Sequence, residues 1–133
     1  MVLSVNERTF KQEVLETSSK VLVDFWAPWC GLCRLIHPLV QEFQTDWSEQ
    51  IKVVRVNADN NLRLANCYQL KSLPTLLLFN NGQLVQRLDN FQGRDDLRVA
   101  LQKLIVNPVP KSAELLGKGV PSNLLDNQTQ KAA

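Results

Sequence analysis

An apolar run, Val21-Leu22-Val23-Asp24-Phe25-Trp26, passes through Ala27-Pro28 into Trp29-Cys30-Gly31-Leu32-Cys33, and a helical pattern follows at once. The run reads as a strand buried on both faces of a sheet. Beyond Cys33, Ile36, Leu39, Val40, Phe43 and Trp47 recur at three- and four-residue steps, the mark of a long amphipathic helix. Pro38 falls inside it, removes one backbone donor and is expected to kink it. Two cysteines two residues apart thus stand where a strand turns into a helix. The first helical turn offers unpaired N–H groups and the positive end of the helix dipole. Both favour a thiolate, the species that attacks a disulfide. The arrangement points to thiol–disulfide exchange.

The remaining pattern places this junction in a larger fold. Val2 to Val5 is expected as a short edge strand, and Asn6 as the N-cap of a first helix through about Leu15, with Phe10 and Val14 on one face. Ile51, Val53, Val54 and Val56 predict the next strand; Leu62, Leu64, Ala65 and Tyr68 predict a short helix. Thr75 to Phe79 reads as another buried strand, and Asn80-Asn81-Gly82 as a hairpin turn from which Leu84 to Leu88 returns antiparallel. Leu97, Ala100, Leu101, Leu104 and Ile105 line the inner face of a last helix. Strands alternating with helices call for an α/β fold with a parallel core, extended by the antiparallel strand of the hairpin. After Asn107-Pro108-Val109-Pro110 the pattern fades, so the domain is expected over residues 1–107 and an irregular or partly disordered extension over 108–133.

With 133 residues, one domain is the natural count, and the chain can bury a core without a disulfide framework. A net charge of +2 with unclustered basic residues is too small to argue for nucleic acid or a membrane surface, and neither is expected as a partner. No apolar run is long enough to span a bilayer, and Met1 to Thr9 carries no basic-then-apolar signal. Three cysteines exclude an even set of structural bridges, so a reducing cytoplasm with one active pair and one spare thiol is expected.

The motifs resemble the thioredoxin family closely. The likeness runs through Val23-Asp24-Phe25-Trp26-Ala27-Pro28-Trp29-Cys30-Gly31, Pro38, Val56-Asn57-Ala58-Asp59 and Leu73-Pro74-Thr75-Leu76-Leu77-Leu78-Phe79 with Asn81-Gly82, over roughly Ser4 to Ile105. It implies a mixed sheet of about four or five strands flanked by about four helices. Carried over residue by residue, Cys30 is the exposed nucleophile and Cys33, more buried, the resolving thiol. Asp24 beneath them mediates proton transfer with Cys33, its pKa raised by burial. Arg55 stands where the family usually has a lysine, and keeps the charge without being able to give up a proton. Pro74 is expected after a cis peptide facing the cysteines. Trp29, Leu73 and Pro74 form the apolar rim that receives a partner polypeptide, with Gly31 and Leu32 between the cysteines. The pair itself is the redox centre, with no cofactor and no metal. The implied partners are protein disulfides and a thioredoxin reductase or another electron donor, and a monomer is expected.

Three departures stand out. Leu32 replaces the usual proline, which would fix φ and rigidify the turn, so the balance between dithiol and disulfide should change. Asn90 falls where the family has a glycine beside the groove, and Asp89 and Phe91 put a charge and a ring where small or apolar residues are usual. The tail beyond Asn107 has no counterpart in a minimal thioredoxin.

Competing readings remain for several of these residues. Zinc would need four ligands, and only Cys67 and His37 are at hand to join the pair. An inert cysteine pair on the same scaffold is the second alternative. His37 reads as a helix-surface residue and Cys67 as a small packing residue. Asp24 could be a strand-end charge, although burying one without a task is costly. Trp26 is in part a core aromatic. At the level of function, a disulfide reductase stands against a binding or regulatory module with slow turnover, and an oxidase or isomerase would require an oxidising compartment.

Overall fold

Val21 to Phe25 are all buried because the strand that holds them, β2 (Lys20–Trp26), lies in the middle of a five-stranded sheet. The computed structural model describes residues 2–106; the expected extension over 108–133 lies outside them. The order is β1-β3-β2-β4-β5, with β1 (Leu3–Ser4) at one edge, β3 (Ile51–Asn57), β4 (Thr75–Asn80), and β5 (Gln83–Leu88) at the other edge. Helix α1 (Gly31–Trp47) joins β2 to β3, α2 (Leu62–Cys67) lies between β3 and β4, and α3 (Arg94–Val106) follows β5. α1 continues on both sides of Pro38.

Strand pleating sends alternate side chains to opposite faces, and two cores result. Leu22, Val53, Leu76 and Leu78 pack under α1 and α3 through Ile36, Leu39, Val40, Phe43, Leu97, Leu101 and Leu104. Val21, Val23, Phe25, Val54, Val56, Leu77 and Phe79 pack on the other side with Phe10 and Val14. There Phe10, Tyr68 and Phe79 form a triangle with ring centroids 5.6–5.9 Å apart.

Two expectations are corrected. The sheet turns antiparallel one strand earlier than the pattern suggests: β2 runs parallel to β3 but antiparallel to β4, and β4 antiparallel to β5. The connection after β3 holds the 6-residue α2 and brings the chain back to the end of the sheet it left. β4 therefore starts from the end of the sheet where β3 stops. The expected first helix is instead a turn after Asn6, followed by a wide π-helical turn over Lys11–Leu15. Asn6 Oδ1 does cap, accepting from the N–H groups of Arg8 and Thr9 at 2.8 and 3.2 Å. Lys52 Nζ donates to the Glu13 carbonyl at 3.1 Å, one of the last carbonyls of the turn, which lack a helical partner, and tethers it to β3.

Candidate active site

Ala27, Pro28 and Trp29 carry the chain from the end of β2 to Cys30, the N-cap of α1. The Cys30 backbone is extended, at φ −85° and ψ 104°, and its N–H donates to the Ala27 carbonyl at 3.1 Å. Its Sγ takes the place of the oxygen of an ordinary capping residue, accepting from the Cys33 N–H at 3.0 Å. The cap hydrogen bond and the helix dipole both favour negative charge on this sulfur. Cys30 and Cys33 are joined as a disulfide, with Cα atoms 5.2 Å apart. Arg34 Nη1 donates to the Pro28 carbonyl at 2.6 Å and ties the loop to the helix.

The burial contrast that the resemblance implies is small in this oxidised form. Cys30 is 5% exposed and Cys33 2%, because Trp26, Leu32 and Leu73 pack over the pair. Leu32 touches both this cluster and the core under α1, so the residue in the usual proline position contributes packing of its own. Gly31 opens α1 with free space around it. The Leu73–Pro74 peptide is cis; Leu73 lies against the cysteines and Pro74 is buried beside it at the start of β4.

Trp29 is 66% exposed, yet its Nε1–H donates to Asp59 Oδ2 at 2.9 Å. Asp59 lies in the turn Ala58–Asn60 after β3, where Asn57 Oδ1 accepts from the N–H groups of Asp59 and Asn60. The sequence reading assigned Asp59 no role. Its place in the Val56-Asn57-Ala58-Asp59 motif was the available signal, but only the fold brings it to the indole.

Asp24 lies on the α1 side of the sheet, 2% exposed, and in register with Arg55 of β3. Burial pushes its pKa up to about 6, against the opposing pull of the Arg55 guanidinium. Arg55 Nε is 3.6 Å from Asp24 Oδ2, an ion pair too long for a direct hydrogen bond, and the guanidinium lies 4.2 Å from the Trp26 ring centroid. Trp26 is thus half-buried as a platform for Arg55.

Asn90 is exposed in the loop between β5 and α3, at φ +60°, and its Nδ2 donates to Asp89 Oδ1 at 3.2 Å. Phe91 is half-buried: it packs against the core under α1 and α3 and lines a surface cleft together with Asp89 and Asn90. Cys67 ends α2 as an exposed free thiol and not the packing residue the sequence suggested, and partial desolvation raises its pKa. Among the described residues no three His, Cys, Asp or Glu side chains come together to hold a metal ion.

The sequence model of the thioredoxin family matches residues 1–103. Similar proteins include Thioredoxin 1 of Synechococcus elongatus, 55% identical over 82 residues, 62% of this chain and 77% of that protein. Thioredoxin 1 of a Nostoc species is 46% identical over 99 residues, 74% of this chain and 92% of its own length. The chloroplastic M-type thioredoxin of Chlamydomonas reinhardtii is 46% identical over 80 residues, 60% of this chain and 57% of that protein.

Proposed function

The chain belongs to the thioredoxin family, a thiol–disulfide oxidoreductase that reduces protein disulfides through Cys30 and Cys33, and on that premise we propose a role for each residue of the site. The Cys30 thiolate attacks one sulfur of a substrate disulfide, and the other sulfur leaves with the electron pair. Asp24 takes the proton of Cys33, whose thiolate then attacks Cys30 Sγ. The mixed disulfide breaks, the second substrate sulfur departs with the electron pair as a thiolate that solvent protonates, and the Cys30–Cys33 bond closes. Two electrons have passed to the substrate, and a reductase returns them. The observation that carries this reading is Cys30 Sγ held as an acceptor at the N-terminus of α1.

Trp29, Leu73 and Pro74 form the rim for the partner chain, supported by the exposure of Trp29 and the packing of Leu73 on the pair. Trp26, Pro38 and Arg55 support the site from behind. The protein acts as a monomer in a reducing cytoplasm, its electrons coming from a thioredoxin reductase or from a ferredoxin-dependent or glutathione system. No helix among the described residues is long and apolar enough to cross a membrane.

Dithiothreitol-driven precipitation of insulin tests the reading. The protein should accelerate it and Cys30→Ser should abolish the effect, a hydroxyl being a far poorer nucleophile at neutral pH. Cys33→Ser should trap a covalent complex with substrate. A Cys33→Ser variant that turned over like the parent would reverse the assigned roles, and a parent without turnover would favour the binding module.

A further inference from the structure

Asp24 and Arg55 are register partners whose side chains share the sheet face under α1, where Leu22 and Val53 also pack. From the other side, α1 presents Cys33 and His37 one turn apart on one flank, since residues four apart on a helix are neighbours. Helical side chains lean toward the preceding turn, which tilts His37 toward Cys33. His37 is half-buried, at the edge of that face.

Among the described residues, three buried side-chain atoms have no hydrogen-bond partner: Asp24 Oδ1, Arg55 Nε and His37 Nδ1. Buried polar atoms are nearly always satisfied, through ordered water where side chains do not reach each other. Here an acceptor, a donor and a ring nitrogen that serves as either face the same α1–sheet interface. They are suited to one water-bridged network.

We propose that His37 is a positioning residue for disulfide exchange, receiving through this network the proton that Asp24 takes from Cys33 and handing it to solvent. The inference rests on the proton role of Asp24. When Cys33 closes on Cys30, its S–H bond breaks and the proton goes to Asp24, while the electron pair of the broken mixed disulfide leaves on the substrate sulfur. Asp24 is then neutral beside Cys33 and can return the proton to that sulfur, so closure itself is committed only when the proton moves on. The bridging water passes a proton to His37 Nδ1, and the imidazole releases one from its other nitrogen. No oxidant beyond the substrate disulfide is required.

The charges around His37 suit this task. Burial and, after it, the Arg55 charge hold its pKa below the ordinary 6.5, so the ring is neutral at pH 7 and able to accept. Arg55 on β3 is the charge that acts on it, Asp24 stands beside Arg55 in register on β2, and Arg34 precedes His37 on α1. Arg55 cannot relay a proton itself. On its other side Arg55 borders a cleft of about 600 Å³ that also holds Glu7 and Arg8, and Glu7 Oε2 is engaged by the Arg63 N–H at 2.8 Å.

The test is stopped-flow closure of the Cys30–Cys33 disulfide, read by tryptophan fluorescence, with the reduced full-length protein and a saturating synthetic peptide disulfide. His37→Gln, which bonds without titrating, and His37→Ala are compared with the parent and with Asp24→Asn. Both His37 variants should close about tenfold more slowly near pH 7 and converge on the parent near pH 9, where hydroxide takes the proton directly. Alkylation of Cys30 by iodoacetamide should be unchanged. Parent-like closure in His37→Gln, or equal slowing at every pH, would overturn the proposal. Slow closure in Asp24→Asn with normal closure in His37→Gln removes His37 alone. Normal closure in Asp24→Asn removes the role of Asp24 and this inference with it.

Discussion

Asp24 shows what one buried carboxylate costs and what it enables. Its folded pKa of about 6 lies above the 3.8 of a free side chain, so within that window the folded state holds a proton that the unfolded chain has lost. Stability therefore falls as pH rises from 3.8 to about 6, and then stays lower. The shift corresponds to about 3 kcal/mol at neutral pH. Asp24→Asn should flatten this dependence and stabilise the oxidised protein at pH 7 by about 1–3 kcal/mol, less than the full shift because Arg55 loses its counter-charge. Urea unfolding at pH 4 and pH 7 checks it (about 4 and about 7 suffice), and an unchanged pH slope in the variant would move the titration to another group. The acid itself was legible in the sequence, a lone charge in an apolar run. Its relation to His37 was not, because it depends on the β2–β3 register and on how α1 lies across the sheet. Leu32 offers a second residue-scale outcome. Leu32→Pro should lower the reduction potential by about 30 mV, equivalent to roughly 1.4 kcal/mol, by restoring a fixed φ in the turn. Equilibration against a glutathione buffer measures this, and an unchanged potential would mean that the packing of Leu32 on both clusters offsets the lost rigidity.

Elements with a continuous apolar run or a sustained helical period were readable from the chain: β2, β3, β4, α1 and α3 lie where the pattern put them. The π-helical turn and the direction of β4 were not, since an apolar period does not separate a π turn from an α turn, and an apolar strand carries no mark of its direction. The β4–β5 turn was legible because Asn81 and Gly82 both take positive φ, +55° and +81°. The fold adds a constraint the turn rule lacks. A Cβ on Gly82 would lie 2.3 Å from the Leu15 carbonyl oxygen, backbone that cannot swing away. Gly82→Ala should thus combine left-handed strain with a backbone clash and destabilise by about 2–4 kcal/mol. Asn81→Ala, with the same positive φ but an exposed position, should cost less, about 1–2 kcal/mol. Comparing the two by urea denaturation separates strain from crowding. Equal losses would show that the approach to Leu15 relaxes freely.

At the scale of the whole molecule, the cysteines are recharged only if a reductase can dock around them, and the resemblance places the Asn90 loop on that surface together with Trp29 and Pro74. The φ of +60° explains why asparagine can stand where the family has glycine, since it tolerates the left-handed region better than other side chains. The fold is therefore preserved while the surface changes. An exposed amide, bonded to the Asp89 carboxylate, stands where a bare backbone would admit a partner's chain. Phe91 is half-buried against the core, so Asn90 is the most exposed part of the obstruction. A carboxylate desolvated by a partner without a matching cation adds a further penalty, and such mismatches set specificity. A standard bacterial NADPH-dependent thioredoxin reductase should consequently reduce this protein with a kcat/KM about tenfold below that for a conventional thioredoxin, a difference of about 1.4 kcal/mol. Asn90→Gly should recover most of it while changing stability by less than about 1 kcal/mol, because the backbone there already suits glycine. Steady-state assays on the two proteins, with the insulin assay run in parallel, separate docking from chemistry. Equal efficiency in the parent would show that this reductase reaches Cys30 without entering the Asn90 loop.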